Sequence, residues 1–237
     1  RNRDGRLSHG GRWRHEHEWP LARTEWTKYY LHGTGDSAGT GGWLSPDLAA
    51  IDETADRFTY DPADPVPSWG AQYQSLDLCG PRDRTAIEQR ADVLTFTSAV
   101  LTQAVEVTGP VTATIWASSD ALDTDFTAAL VDVEPAAEDG EESRPIILCE
   151  GIVRARFRNG TDNPEMMAPG EIYEFDIDMW DTSNLFEEGH RIRVEISSSN
   201  FPRWSRNLNT GGNNFDETEW RVARNTVLHS RRYPSHV

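Results

Sequence analysis

Four groups of residues in this chain could do chemistry by type and spacing. Gly35-Asp-Ser-Ala-Gly39 reads G-x-S-x-G, the pentapeptide in which serine hydrolases expose a nucleophile, and His32 precedes it. Such an elbow needs a buried strand before the serine and, after it, a helix whose N-terminus helps hold the oxyanion. Here Gly41, Gly42 and Pro46 follow, all opposing a helix, so Ser37 is expected to sit in a flexible glycine turn. His15 and His17 would share one face of a strand and could hold a metal, but the spacing indicates no third ligand and a polar arm is the expectation. Asp120, Asp123 and Asp125 offer the clustered carboxylates that calcium wants, although aspartates at strand entries also build Asx turns, the role expected here. His190 follows Gly189 into a strand pattern without a nucleophile beside it, and reads as a turn residue.

Residues 197–212, SSSNFPRWSRNLNTGG, raise a different question. In an acidic chain this stretch has no acid, two aromatics (Phe201, Trp204) and two arginines (Arg203, Arg206). It contains no nucleophile–base pair. Aromatic and arginine side chains are the usual anchors of interfaces, so a seam against a neighbour is the first expectation and direct substrate contact the second.

The elements that must carry these groups are strands. Residues 93–97, 111–117, 126–133 and 146–158 are β-branched or aromatic runs. Tyr173, Phe175, Ile177 and Met179 alternate with Glu174, Asp176 and Asp178, and Ile192, Val194 and Ile196 repeat the pattern, so each has one buried and one wet face. A further strand is expected at 225–229 and a helical turn at 220–224. Prolines 62, 65 and 67 favour an extended path over a surface for 59–70. The acidic run 134–143 reads as a solvated hairpin tip. With no amphipathic helices between them, seven or more short strands predict an all-β, jelly-roll β-sandwich with an extended N-terminal arm.

Composition excludes some partners. A net charge of −16 and a pI near 4.8 oppose binding to nucleic acid or anionic membrane, which need a basic face. No apolar run approaches the ~20 residues of a membrane span, and the N-terminus lacks an apolar signal core, so a soluble, cytoplasmic chain is expected. Cys79 and Cys149 lack metal or redox spacing and are expected to be buried free thiols. No cofactor or metal is expected. Nine tryptophans, including Trp13, Trp19, Trp26, Trp43, Trp69, Trp204 and Trp220 in arms and loops, would suit either an interface or the sugar platform of a free-standing carbohydrate-binding module.

The ordered phrases WRHEHEWP, FTYDPADPVPS, RADVLTFTSAVLTQAVEVTGPV, DTDFTAALVDV, GEIYEFDIDM and GHRIRVEISSSNFPRWSRNLNTGG resemble the C-terminal, non-catalytic domain of the cocaine esterase-like (CocE/NonD) hydrolases, related to X-Pro dipeptidyl-peptidases. The resemblance covers residues 12–237. It implies a jelly roll that follows a serine α/β-hydrolase domain acting on esters, amides or X-Pro peptides, with no triad residue in this chain. On that reading residues 1–28 are a linker following the hydrolase domain, and 29–237 are the jelly roll, cut in its last strand. The resemblance also implies that a loop matching residues 69–78 reaches the active-site mouth. Trp69, Tyr73 and Leu76 are therefore grouped with Phe201, Arg203, Trp204 and Arg206 as pocket or interface residues. The hydrolase domain is the expected partner, and the isolated chain is expected to be inactive and to self-associate. A complete hydrolase using Ser37 is the remaining alternative.

Overall fold

The alternation at 173–179 belongs to a long strand with one face turned inward. In a computed structural model describing residues 13–33, 40–48, 53–73, 77–136 and 143–237, it runs as β8 (Tyr173–Phe186), with Phe175, Ile177 and Met179 fully buried. The other strands are β1 (Tyr30–His32), β2 (Thr40–Ser45), β3 (Asp56–Tyr60), β4 (Leu94–Ser98), β5 (Val105–Ser119), β6 (Asp125–Glu134), β7 (Arg144–Arg154), β9 (Arg191–Ser197), β10 (Ala223–Ser230) and β11 (Tyr233–Pro234). A four-residue helix, α1 (Thr85–Glu88), and a 3-10 turn at Ala155–Phe157 complete them.

The strands form a six-stranded sheet, β1-β2-β4-β9-β6-β7, and a five-stranded sheet, β11-β10-β5-β8 with β3 on β10. Chain crossings alternate between the sheets from β4 to β6 and from β7 to β10, the habit of a jelly roll. Phe96, Phe126, Phe175, Ile115, Ile177 and Val194 meet between the layers in one continuous core, where apolar burial supplies the main driving force. The all-β sandwich expected from periodicity is the fold that forms.

Several sequence expectations need correction. Residues 220–224 make no helical turn; Ala223 and Arg224 already belong to β10 and pair with Tyr60 and Thr59. β5 begins at Val105 rather than 111, because Gly109 and Pro110 are carried inside the strand opposite an irregularity in β8. Residues 155–157 leave the strand expected to reach 158. Trp43 lies on β2, not in a loop. Cys149 is buried while Cys79 is only half-buried, and neither forms a disulfide. Burial pushes the Cys149 thiol up to about 12, which leaves it inert.

β7 approaches β8 closely at Gly151. A Cβ added at Gly151 would lie 2.0 Å from the Asp178 carbonyl oxygen, so only glycine admits this approach. Residues 13–28 run mostly exposed along β5. Arg14 pairs with Glu106, the Thr24 hydroxyl donates to the Thr108 carbonyl at 3.3 Å, and Leu21 is buried. The hairpin of β6 and β7 encloses the acidic run, whose residues 137–142 lie outside the described residues.

Candidate functional site

The irregularity in β8 is where a surface groove begins. Thr112 pairs with Asp178 and Pro110 with Asp181, so Met179 and Trp180 together oppose the single residue Val111. Two residues against one make a β-bulge, which bends the strand and re-aims a side chain. Met179 stays buried, and Trp180 stands out, 60% exposed, with φ at 71°. A bulky residue at positive φ is strained by contact of its Cβ with the backbone, and such strain concentrates at functional sites. The Asp178 carboxylate holds it there by accepting the Trp180 N–H at 2.8 Å.

Trp180 and Asp178 line an open groove of about 610 Å³ with Tyr73, Ile152, Pro202, Arg203 and Trp204. The far wall belongs to the loop 197–212, pinned against the proline-rich segment. Phe201 donates its N–H to the Val66 carbonyl at 2.9 Å and accepts from Ser68 N–H at 2.7 Å, and Arg203 N–H reaches Ser68 Oγ at 2.9 Å. The Arg203 guanidinium lies 4.3 Å from the centre of the Trp204 ring and donates to Glu150 at 2.8 Å. Glu150 is buried on β7 and also accepts from Asn200 at 2.6 Å. Burial pushes its carboxyl upward against the opposing pull of Arg84 and Arg203. Arg203 is thus fixed by a buried acid while its stacked face stays at the groove, a pre-organised aromatic–cation anchor.

A buried polar cluster adjoins this loop at Ser199 and Asn200. Arg84, preceding α1, grips Glu195 of β9 and donates to the Trp69 carbonyl at 3.1 Å. A cavity of about 10 Å³ between Arg84, Glu150, Glu195, Ser197 and Asn200 has room for a single water at most. It is a structural joint with no space for a substrate.

Of the sequence-selected residues, Tyr73, Arg203 and Trp204 meet at the groove. Trp69 is outside the groove's lining, its indole N–H donating to the Asp83 carbonyl at 3.0 Å. Phe201 and Arg206 pair with one another, the guanidinium 5.4 Å from the ring centre, and Arg206 donates to the Pro62 carbonyl at 2.7 Å. Leu76 and Ser37 lie outside the described residues. Sequence reasoning missed Trp180, Asp178 and Ile152. The available signal was an exposed tryptophan ending a strand whose outward positions are otherwise acidic.

The calcium reading loses to arginine. Asp123 Oδ2 accepts from Arg156 Nε and Asn207 Nδ2, both at 2.7 Å, and Asp125 Oδ1 accepts from Arg154 Nε and the same Asn207 amide, both at 2.8 Å. Asp120 caps the Arg224 N–H at 2.8 Å. His190 pairs with Asp132 at 2.8 Å at the entry to β9, as a turn residue would. His15 and His17 are exposed in the arm, and among the described residues no three His, Cys, Asp or Glu side chains are placed to share a metal ion.

Two packed sheets with an aromatic groove at the surface define an all-β sandwich domain. The chain belongs to the X-Pro dipeptidyl-peptidase C-terminal non-catalytic domain family, whose profile matches residues 2–237. It is 48% identical over 231 residues to cocaine esterase of Rhodococcus sp. (strain MB1 Bresler), covering 95% of this chain and 39% of that enzyme. Among solved structures it resembles an aminopeptidase from the marine sediment archaeon Thaumarchaeota archaeon, with a TM-score of 0.79, 25% identity and coverage of 92% of this chain and 37% of that one. An α-amino acid ester hydrolase shares the fold at TM-score 0.77 and 24% identity, over 89% of this chain and 35% of its own. The chain therefore spans well under half the length of the proteins it matches.

Proposed function

We propose that this chain is the accessory domain of a serine hydrolase acting on esters, amides or X-Pro peptides. It packs beside an α/β catalytic domain and lends the Tyr73–Trp180–Arg203–Trp204 groove to the substrate entrance. The observation that carries this reading is Trp180, turned outward at φ 71° across from a fixed Arg203–Trp204 pair, in a chain of a non-catalytic family. Such a wall adjusts which substrate fits, while the chemical step belongs to the triad of the partner domain.

The test is steady-state kinetics of the full-length protein carrying Trp180→Ala or Trp204→Ala, with small and bulky acyl substrates. The expected result is a rise of about tenfold in KM for bulky substrates with kcat within about twofold, the pattern of a lost binding wall. Unchanged ratios between substrates in both variants would refute a role at the entrance. The isolated chain is expected to show no ester turnover. Retention on a glycan array, lost in Trp204→Ala, would instead support a carbohydrate-binding module.

A further inference from the structure

The two sheets are joined far from the groove by a buried polar chain that the proposed function does not use. His32 on β1 belongs to the six-stranded sheet, and His229 on β10 and Asp56 on β3 to the five-stranded one. Glu53 lies between them. His32 Nε2 faces the Asp47 carbonyl at 3.1 Å and His32 Nδ1 faces Glu53 Oε1 at 2.8 Å. Both partners are acceptors, so a neutral imidazole can donate to only one of them, and making both contacts needs a second proton. His229 is arranged differently. Its Nδ1 accepts the Gly33 N–H at 3.2 Å and its Nε2 faces Asp56 at 2.9 Å, which fixes one neutral tautomer. Glu53 Oε2 makes no hydrogen bond among the described residues and lies 3.7 Å from His229 Nδ1.

We infer that one proton, resident on His32, latches the two sheets together through Glu53. Imidazole ordinarily holds a proton more tightly than a carboxylate, about 6.5 against about 4.3 in pKa. Trp43 of β2 adds to this, its ring stacked on His32 with centroids 5.1 Å apart and planes 4° apart, since a π face favours the cation. Among the described residues, His229 Nδ1 already accepts the Gly33 N–H and Asp56 is an acceptor, so neither offers Glu53 a second donor. Without a proton on Nδ1, a lone pair would face the Glu53 carboxylate, and the link that ties β1 to the β3–β10 edge through Glu53 would be lost.

The experiment is the imidazole nitrogen spectrum of the 15N-labelled full chain at neutral pH, with amide exchange alongside. The expected spectrum has both His32 nitrogens protonated and His229 protonated at Nε2 alone. Glu53→Gln is expected to leave His32 with one bare nitrogen and to speed exchange at Leu31 and Gly33 at least about tenfold relative to the β6 strand. A bare His32 nitrogen in the parent protein overturns the inference by itself, even where the variant does not fold. Doubly protonated His32 persisting in Glu53→Gln overturns it as well.

Discussion

Arg84 closes on Glu195 with Nη2 and Oε2 2.6 Å apart, and their side chains are only 5% and 3% exposed. The pair spans 111 residues of sequence, from the turn before α1 to the middle of β9, and Arg84 also holds the Trp69 carbonyl. Two charges taken out of water return little net stability, but removing one strands the other. Arg84→Met is expected to destabilise the chain by ~3–5 kcal/mol, and adding Glu195→Leu should recover most of that loss. Urea unfolding of the parent, both single variants and the double closes the cycle. A double variant no more stable than Arg84→Met would show that packing, not an unpaired charge, sets the cost.

A pH dependence follows from the next carboxylate along. Glu88 on α1 accepts from Arg193, while its Oε1 has no hydrogen-bond partner among the described residues. Burial first, then the neighbouring Glu195 charge, pushes the Glu88 carboxyl up to about 8. An unfolded glutamate titrates near ~4.3, so across the window between these values the folded chain holds a proton that the unfolded chain has released. Stability contributed by Glu88 is therefore complete below the lower value and falls as pH rises, levelling off above about 8. Glu88→Gln should remove on the order of 2–3 kcal/mol of that decline between mildly acidic and mildly alkaline solution. Parallel pH–stability curves for parent and variant would contradict it.

A third prediction concerns the aspartates. Because arginines and Asn207 already occupy the carboxylates of Asp123 and Asp125, adding calcium or a chelator should leave the melting temperature unchanged. Asn207→Ala, in contrast, removes one amide that serves two buried acids, and should cost about 2–4 kcal/mol. Thermal melts with and without calcium, beside those of the variant, separate the two readings. A calcium-dependent rise of several degrees would restore the cation site.

The sandwich was legible because its strands alternate. Tyr173, Phe175, Ile177 and Met179 point one way in sequence and in space, and Ile192, Val194 and Ile196 do the same on the opposite layer. The start of β5 was not legible, since Gly109 and Pro110 are breakers in most strands and are tolerated here beside a bulge. Arg203 and Trp204 stood out by residue type in an acidic chain. Their opposite wall did not, because alternation carries Trp180 outward with Asp176 and Asp178 but gives no sign of the extra residue opposite Val111, a partner 69 positions away, or of the groove beside it. The Arg84–Glu195 and His32–Glu53–His229 links were hidden for the same reason. Pairings between charges far apart in the chain leave no periodic trace.

Trp180 offers a way to separate strain from use. At φ 71° any residue with a Cβ is held against its preference, and glycine is not, so Trp180→Gly relieves a strain on the order of 1 kcal/mol. The residue is 60% exposed, so the covered remainder of the indole is lost as well and offsets that relief. The chain should therefore unfold within about 1 kcal/mol of the parent, with glycine's greater freedom in the unfolded state included. In the full-length protein the same substitution removes one wall of the groove and should raise KM for bulky substrates as Trp204→Ala does. Stability kept and selectivity lost is the signature of a residue retained for its contacts at the groove. Loss of more than about 2 kcal/mol in Trp180→Gly would mean instead that the indole packs as part of the fold, and that the bulge serves the sandwich rather than the site.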